Sequence, residues 1–398
     1  MKIRIKSAAA LLGVAALALS ACSSSTTTTS SGGSSAHTPP SVAEADSLGK
    51  GEGKVNLIVW AGYAEDGSDD PGVDWVHPFE KQTGCQVNAK VAGTSDEMVQ
   101  LMRTGQYDGV SASGDATLRL IYAGDVAPVN TDLVPNYKTI SGFLKDKSWN
   151  SVDGQMYGIP HGWGANVLMW NKSVVKKAPT SWSAVFDADS PYQGKLTAYD
   201  SPIYIADAAL YLAKTDPSLG IEDPYSLTQK QLDAAVALLK QQNANIGEYW
   251  SDYTKEVQSF ESGASVMGTS WQVIANLINS DKKVQVGTTV PSEGATGWSD
   301  TWMISSEAQH PNCMYEWMNW IASPKVNYEV ASWFGEAPAQ TKSCTYDEAF
   351  CKTYHATDAA YASKIHYWTT PQTQCVDGSG DDCTDYSDWV TAWQQMKG

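Results

Sequence analysis

The hydrophobic and polar positions change period several times along the chain, and each change marks an element. The run Val55-Asn56-Leu57-Ile58-Val59-Trp60 is short and rich in branched apolar residues, which predicts a strand. After a polar loop, the stretch from about Trp75 to Gln82 predicts a helix that stops at Gly84, because glycine takes the left-handed cap at little cost. Strand and helix signals then alternate: Gln86 to Val91 as strand, Ser95 to Thr104 as helix closed by Gly105, and Tyr107 to Ser111 as strand. Further on, Thr228-x-x-Gln231 has the form of a capping box, and Leu232, Val236 and Leu239 follow it along one helix face. Val284 to Val290 is another strand run. No internal repeat is visible. The pattern predicts an α/β protein of two lobes, each with a mixed sheet flanked by helices, with ligand in the crevice beyond the strand ends.

The first residues break this pattern. Lys2, Arg4 and Lys6 precede the apolar run Ala8 to Leu19, which is too short for an ordinary transmembrane helix and has the form of a secretion signal over residues 1–21. The run ends in Leu19-Ser20-Ala21-Cys22, which resembles the bacterial lipobox, so Cys22 is expected to be lipidated and to begin the mature protein. Residues 22–53 are mostly Ser, Thr, Gly and Pro and predict a flexible, lipid-anchored linker. No later stretch reaches about 18 apolar residues, so attachment to the outer face of the bacterial cytoplasmic membrane, at the cell surface or in the periplasm, would rest on Cys22 alone.

Composition narrows the function. At 398 residues the chain exceeds what one hydrophobic core usually serves, in keeping with two lobes. Its 44 acidic and 27 basic residues give a formal charge of −17, which repels phosphate backbones and argues against nucleic acid as a partner. Such a surface attracts cations, although it also serves solubility alone. The 16 Trp and 19 Tyr against 6 Phe favour rings that also hydrogen-bond, a hint of polar-ligand recognition. Six cysteines follow Cys22, at Cys85, Cys313, Cys344, Cys351, Cys375 and Cys383, and an exported chain usually pairs them. Fifteen connectivities are open; proximity suggests Cys344 with Cys351 and Cys375 with Cys383, which leaves Cys85 with Cys313.

Several chemistries lack their usual motifs. The chain contains no G-x-x-x-x-G-K-[ST], no H-E-x-x-H and no G-x-S-x-G, so no catalytic residue is assigned. The six histidines are scattered, no C-x-x-C spacing occurs, and no metal or cofactor is expected. Asp377-Gly-Ser-Gly-Asp381-Asp382 is faintly like a calcium loop but lacks the alternate acids and closing glutamate, and is taken as a solvated loop.

Five short motifs in order carry a resemblance: Trp60-Ala61-Gly62-Tyr63, Gly105 to Asp108, Ile159 to Ala165, Gly268-Thr269-Ser270-Trp271 and Gly297-Trp298-Ser299-Asp300. With these, the segment from about Val55 to Trp368 resembles the extracellular solute-binding proteins of ABC transporters, specifically the spermidine/putrescine-binding group. The resemblance implies a two-lobed clamp of the type II periplasmic-binding-protein kind, which closes on its ligand and docks on permease subunits. It implies a first lobe over 54–163 and 299–341 and a second over 164–298 and 342–398, the Cys85–Cys313 pair falling within the first. It also implies ring walls at Trp60, Tyr63, Trp271 and Trp298, with Asp300 holding an amine. An alkyl polyamine needs such a set, apolar faces for its methylenes, ring faces for its ammonium groups and carboxylates at intervals.

The chain also departs from that pattern. Where the family has an acidic pair after a second-lobe strand, this chain has Asp200-Ser201-Pro202-Ile203-Tyr204; two family tyrosines are replaced by Gly114-Asp115 and Gly335-Glu336. Asp115, Tyr204 and Glu336 are therefore further candidates for the ligand. The expected function is capture, by a monomer, of a small organic cation of polyamine type for delivery to a permease. The alternatives are another small solute such as a quaternary amine or sugar, an enzyme using Asp300 and Glu336 as an acid–base pair, or a structural surface lipoprotein.

Overall fold

The computed structural model describes residues 38–376, 380 and 382–397. The signal segment 1–21, Cys22 and the linker as far as residue 37 lie outside the described residues, as do residues 377–379 and 381 of the acidic loop.

The chain begins with strands and helices in alternation: β1 (Lys54–Val59), α1 (Val76–Thr83), β2 (Gln86–Val91), α2 (Ser95–Met102), β3 (Gly109–Ala112) and α3 (Gly114–Ala123). Each helix crosses over the sheet, so β1 pairs in parallel with both β2 and β3. Gly84 closes α1 at φ 78°, and Thr94 caps α2 by accepting from the Glu97 N–H.

The later strands are β4 (Ile159–Asn171), β5 (Leu196–Tyr199), β6 (Ile246–Trp250), β7 (Met267–Trp271), β8 (Val286–Thr289), β9 (Ala295–Ser305) and β10 (Ile365–Tyr367). The helices that matter below are α4 (Ile205–Thr215), α5 (Gln229–Asn243), α6 (Gln272–Asp281), α7 (Pro311–Ile321), α8 (Pro324–Phe334) and α9 (Tyr386–Lys397). The capping box at α5 is present: Thr228 accepts from the Gln231 N–H while the Gln231 amide oxygen accepts from the Thr228 N–H at 2.8 Å.

Each half has the expected mixed sheet, and the two join into one. Its order is β2-β1-β3-β9-β4-β7-β5-β6, with β8 added to β4 and β10 to β9. Length explains the continuity. The first part of β4 pairs antiparallel with β9, and its second part pairs with β7 and β8. The later part of β9 pairs with β3, so these two long strands carry the chain between the halves. Both are buried almost throughout, including the polar run Ser299-Asp300-Thr301. Between Asp300↔Gly162 and Thr301↔Pro160 the register slips by one, leaving His161 unmatched in a bulge.

Much of the tryptophan excess is core. Trp75, Trp163, Trp182, Trp250, Trp302, Trp317 and Trp389 are wholly buried and serve packing. The linker predicted over 22–53 is also corrected for residues 38–53. Val42 and Ala45 pack on the core, Asn130 donates to the Ala45 carbonyl at 3.0 Å, and Glu52 accepts from the N–H groups of Asn312 and Cys313 at the start of α7. A few apolar residues and one helix-capping carboxylate suffice to pin a segment whose composition resembles a tether. Disulfides join Cys85 to Cys313, Cys344 to Cys351 and Cys375 to Cys383.

Candidate functional site

Side chains alternate along β9, so Trp298 and Asp300 share one face, and Gly162 and Gly164 lie opposite them on β4. Those glycines are required by close approach. A Cβ on Gly162 would collide with the Glu336 carboxyl, and one on Gly164 would press into the Trp298 indole. Glu336 arrives from the end of α8 through Gly335, which turns the chain at φ 88°. Tyr63 comes from the turn after β1, its N–H bonded to the Trp60 carbonyl at 3.2 Å. Ser113 precedes α3.

Four segments thus deliver acids and hydroxyls to one buried point. The Tyr63 hydroxyl is 2.7 Å from Asp300 Oδ2 and 2.9 Å from Glu336 Oε2, and the Ser113 hydroxyl donates to Asp300 Oδ1 at 2.5 Å. A phenol has one proton, so it satisfies one carboxylate, and the second contact needs a proton on a carboxyl. Burial pushes Asp300 up to about 7, against the lowering effect of its two hydroxyl partners, and the field of Asp115 adds to the rise. Burial and then the charge of Asp300 hold Glu336 well above the usual carboxylate range. Asp115, on α3, is raised to about 6 by burial, offset in part by the Ser95 hydroxyl at 2.9 Å and by Arg119. His161 stands 3.5 Å from Glu336, but burial lowers it to about 3 and leaves it neutral. Among the described residues no lysine or arginine pairs with Asp300 or Glu336. The point gathers acidic groups that resist ionising while it is empty, and a cation is what would make their charged forms favourable.

Rings form an arc beside these acids. Trp368 stacks on Tyr199 at 5.6 Å, Tyr199 meets Trp271 at 5.6 Å, and Trp271 meets Trp298 at 6.3 Å. Phe334 continues the arc, 6.0 Å from Trp298 and 4.7 Å from Tyr63. Thr370 donates to the carbonyls of Gly114 and Asp115, and a Cβ on Gly114 would strike the Trp368 carbonyl, so this segment lies directly on the start of α3. Trp271, Trp298, Gly164 and Glu336 also line a small cavity.

The structure brings Tyr63, Asp300, Glu336, Trp298 and Trp271 into this one neighbourhood, with Asp115 close enough for its charge to act on Asp300. Trp60 shares the Tyr63 turn and is half-buried. Tyr204 is a correction: it packs against Phe186 and Trp393, and its hydroxyl meets the Gln242 amide at 3.0 Å and the Thr269 hydroxyl at 3.3 Å, so it belongs to the core behind β7. Asp200 is held by Lys397 at 2.7 Å. Sequence reasoning missed Ser113, Gly162, Tyr199, Phe334 and Trp368. Only the glycines carried a usable signal, since His161-Gly162-Trp163-Gly164 leaves one face of an otherwise bulky strand bare. Among the described residues no cluster of potential metal ligands occurs, and no helix is long and apolar enough to cross a membrane.

Residues 74–374 match the model of a family described as bacterial extracellular solute-binding protein. The putrescine-binding periplasmic protein SpuD of Pseudomonas aeruginosa is 25% identical over 279 residues, covering 66% of this chain and 74% of its own. A putrescine/agmatine-binding protein of the same species is 22% identical over 314 residues, covering 73% and 79%. The solved structure of a putative spermidine/putrescine ABC transporter from Listeria monocytogenes superimposes with a TM-score of 0.70 at 17% identity, over 87% of this chain and 99% of that one. The Listeria structure shares this chain's fold, and with residues 74–374 matched the chain belongs to the bacterial extracellular solute-binding proteins.

Proposed function

We propose that this solute-binding protein captures a small organic cation of the putrescine or spermidine type and delivers it to an ABC importer. One observation carries the proposal: Asp300 and Glu336 converge, buried, on a single tyrosine hydroxyl, with no lysine or arginine among the described residues to neutralise them and the nearby His161 held neutral. A primary ammonium has three N–H donors and one positive charge, which fits that group of acceptors. Asp115 would hold a second amine, while Trp271, Trp298 and the neighbouring rings would face the methylenes and the ammonium edges, with Trp60 at the rim. The names of the two Pseudomonas relatives support the same ligand class.

In this reading the lobes are 54–163 with 299–341 and 164–298 with 342–398. Both boundaries fall within the register pairs Trp163↔Ser299 and Gly164↔Trp298, at the middle of the two shared strands, which is where a hinge would act. Asp300 and Glu336 serve as acceptors for cargo that leaves unchanged, not as an acid–base pair. A lipid on Cys22 would tether a monomer to the outer face of the membrane; the motif Leu19-Ser20-Ala21-Cys22 supports this.

A thermal-shift panel of putrescine, spermidine, betaine and glucose tests the proposal. A ligand at about a hundred times its dissociation constant adds roughly 2.7 kcal/mol to stability, so putrescine or spermidine is expected to raise Tm by several degrees. A shift with glucose and none with any amine would contradict it. Cargo recovered chemically altered would point to an enzyme instead.

A further inference from the structure

Four side chains form a directed chain of hydrogen bonds from the ring arc into the interior. The Trp271 indole N–H donates to Asn166 Oδ1 at 2.9 Å, the Asn166 amide donates to Thr296 Oγ1 at 2.7 Å, and the Thr296 hydroxyl donates to Asp207 Oδ1 at 2.9 Å. Trp271 and Asn166 are a register pair between β7 and β4, and Thr296 precedes Gly297, which pairs with Ala165, so the row crosses three neighbouring strands. Asp207 then closes it from α4. Asn166, Thr296 and Asp207 are all at most 3% exposed.

The direction of every bond follows from the indole. An indole can only donate, so the amide oxygen of Asn166 must face it and the amide nitrogen must face Thr296. Thr296 then accepts with its oxygen, and its proton needs an acceptor. Among the described residues Asp207 supplies it. We propose that Asp207 is a positioning residue for ligand capture, holding the Trp271 ring wall at its angle through Thr296 and Asn166. Asn166 and Thr296 lie on the two strands shared by both halves of the sheet, so the ring is fixed to the crossing itself. Burial raises Asp207 to about 8, and a neutral carboxyl still accepts through Oδ1, so the chain needs an acceptor and not a charge.

That distinction makes the test. Asp207→Asn keeps an acceptor of the same shape; Asp207→Ala removes it and leaves the Thr296 proton without a partner. In 15N-labelled protein, with the Trp271 indole N–H resonance assigned by its loss in Trp271→Phe, Asp207→Ala is expected to move that resonance and speed its exchange with water, and Asp207→Asn to leave it near the parent position. A folded Asp207→Ala with the resonance unmoved, or an Asn variant that moves it as far, would overturn the proposal. If Asp207→Ala does not fold, Thr296→Val against Thr296→Ser makes the same comparison.

Affinity gives a second readout, which rests on the cation-capture reading. Loss of one buried hydrogen bond is expected to weaken putrescine binding roughly three- to tenfold in Asp207→Ala, with recovery in the Asn variant. Added to Trp271→Phe, which has no N–H to hold, Asp207→Ala is expected to cost nothing more; an undiminished loss there would show a general structural role. A parent protein that binds no putrescine would sink the cation reading and leave the resonance comparison standing.

Discussion

Replacing Asp300 by Asn is expected to weaken the ligand's hold and strengthen the fold. Asp300 is 3% exposed and its carboxyl is raised from 3.8 to about 7. At 1.36 kcal/mol for each tenfold change in proton affinity, the charged form therefore disfavours the empty folded state by about 4 kcal/mol. The sign follows from the direction of the shift. A carboxyl raised on folding adds no penalty below its unfolded value near 4, and the full penalty above about 7, so the empty protein loses stability as pH rises through that window. Asn keeps an acceptor for Ser113 and carries no charge, so Asp300→Asn is expected to match the parent in unfolding free energy at pH 4 and to exceed it by about 1–4 kcal/mol at pH 8. Cation binding moves the other way, because one charge-assisted hydrogen bond is lost, about 1.5–3 kcal/mol or roughly ten- to 150-fold in affinity. Urea unfolding at the two pH values and titration calorimetry with putrescine read the two effects. A variant that binds putrescine as tightly as the parent, or that is less stable at pH 8, would refute the placement of a buried, cation-seeking carboxyl at this position.

Putrescine affinity is expected to rise from pH 5 to pH 8, since Asp115 at about 6 and Asp300 at about 7 must lose their protons to hold ammonium groups. Calorimetry in two buffers of different ionisation heat should show protons released on binding near pH 6.5; proton uptake would contradict it. Gly162→Ala drives a methyl into the Glu336 carboxyl and is expected to cost about 1–3 kcal/mol of stability and to weaken binding, read by urea unfolding and the same titration. An Ala variant equal to the parent in both would mean that the carboxyl has room to move and that its position is not fixed by that glycine.

Local chemistry was legible where a few neighbouring residues decide the outcome. Thr228 and Gln231 cap each other because their spacing allows it, and Gly84 ends its helix because the backbone there needs a positive φ. The cleft acids were reached only through short motifs, and their partners were not. Ser113 meets Asp300 across 187 residues of sequence and Tyr63 meets Glu336 across 273, pairings that no local period encodes. Tyr204 shows the converse error. Its position after a strand suggested the cleft, yet Phe186 and Trp393 bury it in the core. Residues 38–53 have a linker's composition, and only the folded surface beneath Val42, Ala45 and Glu52 turns them into a strap. The joining of the two sheets was hidden for a related reason: β4 and β9 are each long enough to serve both halves, and strand length alone does not show which partners a strand will take.

The central claim is that the cleft is built for a ligand with two positive charges set apart on an apolar chain. Titration calorimetry of the protein at pH 8 with 1,4-diaminobutane and with 1-aminobutane compares two ligands that share their methylenes and differ in one ammonium. The diamine is expected to bind at least tenfold more tightly, a difference of about 1.4 kcal/mol, the least that a second charge-assisted contact at Asp115 would supply. Equal binding of the two amines, or heat from neither while a neutral sugar binds, would contradict the account.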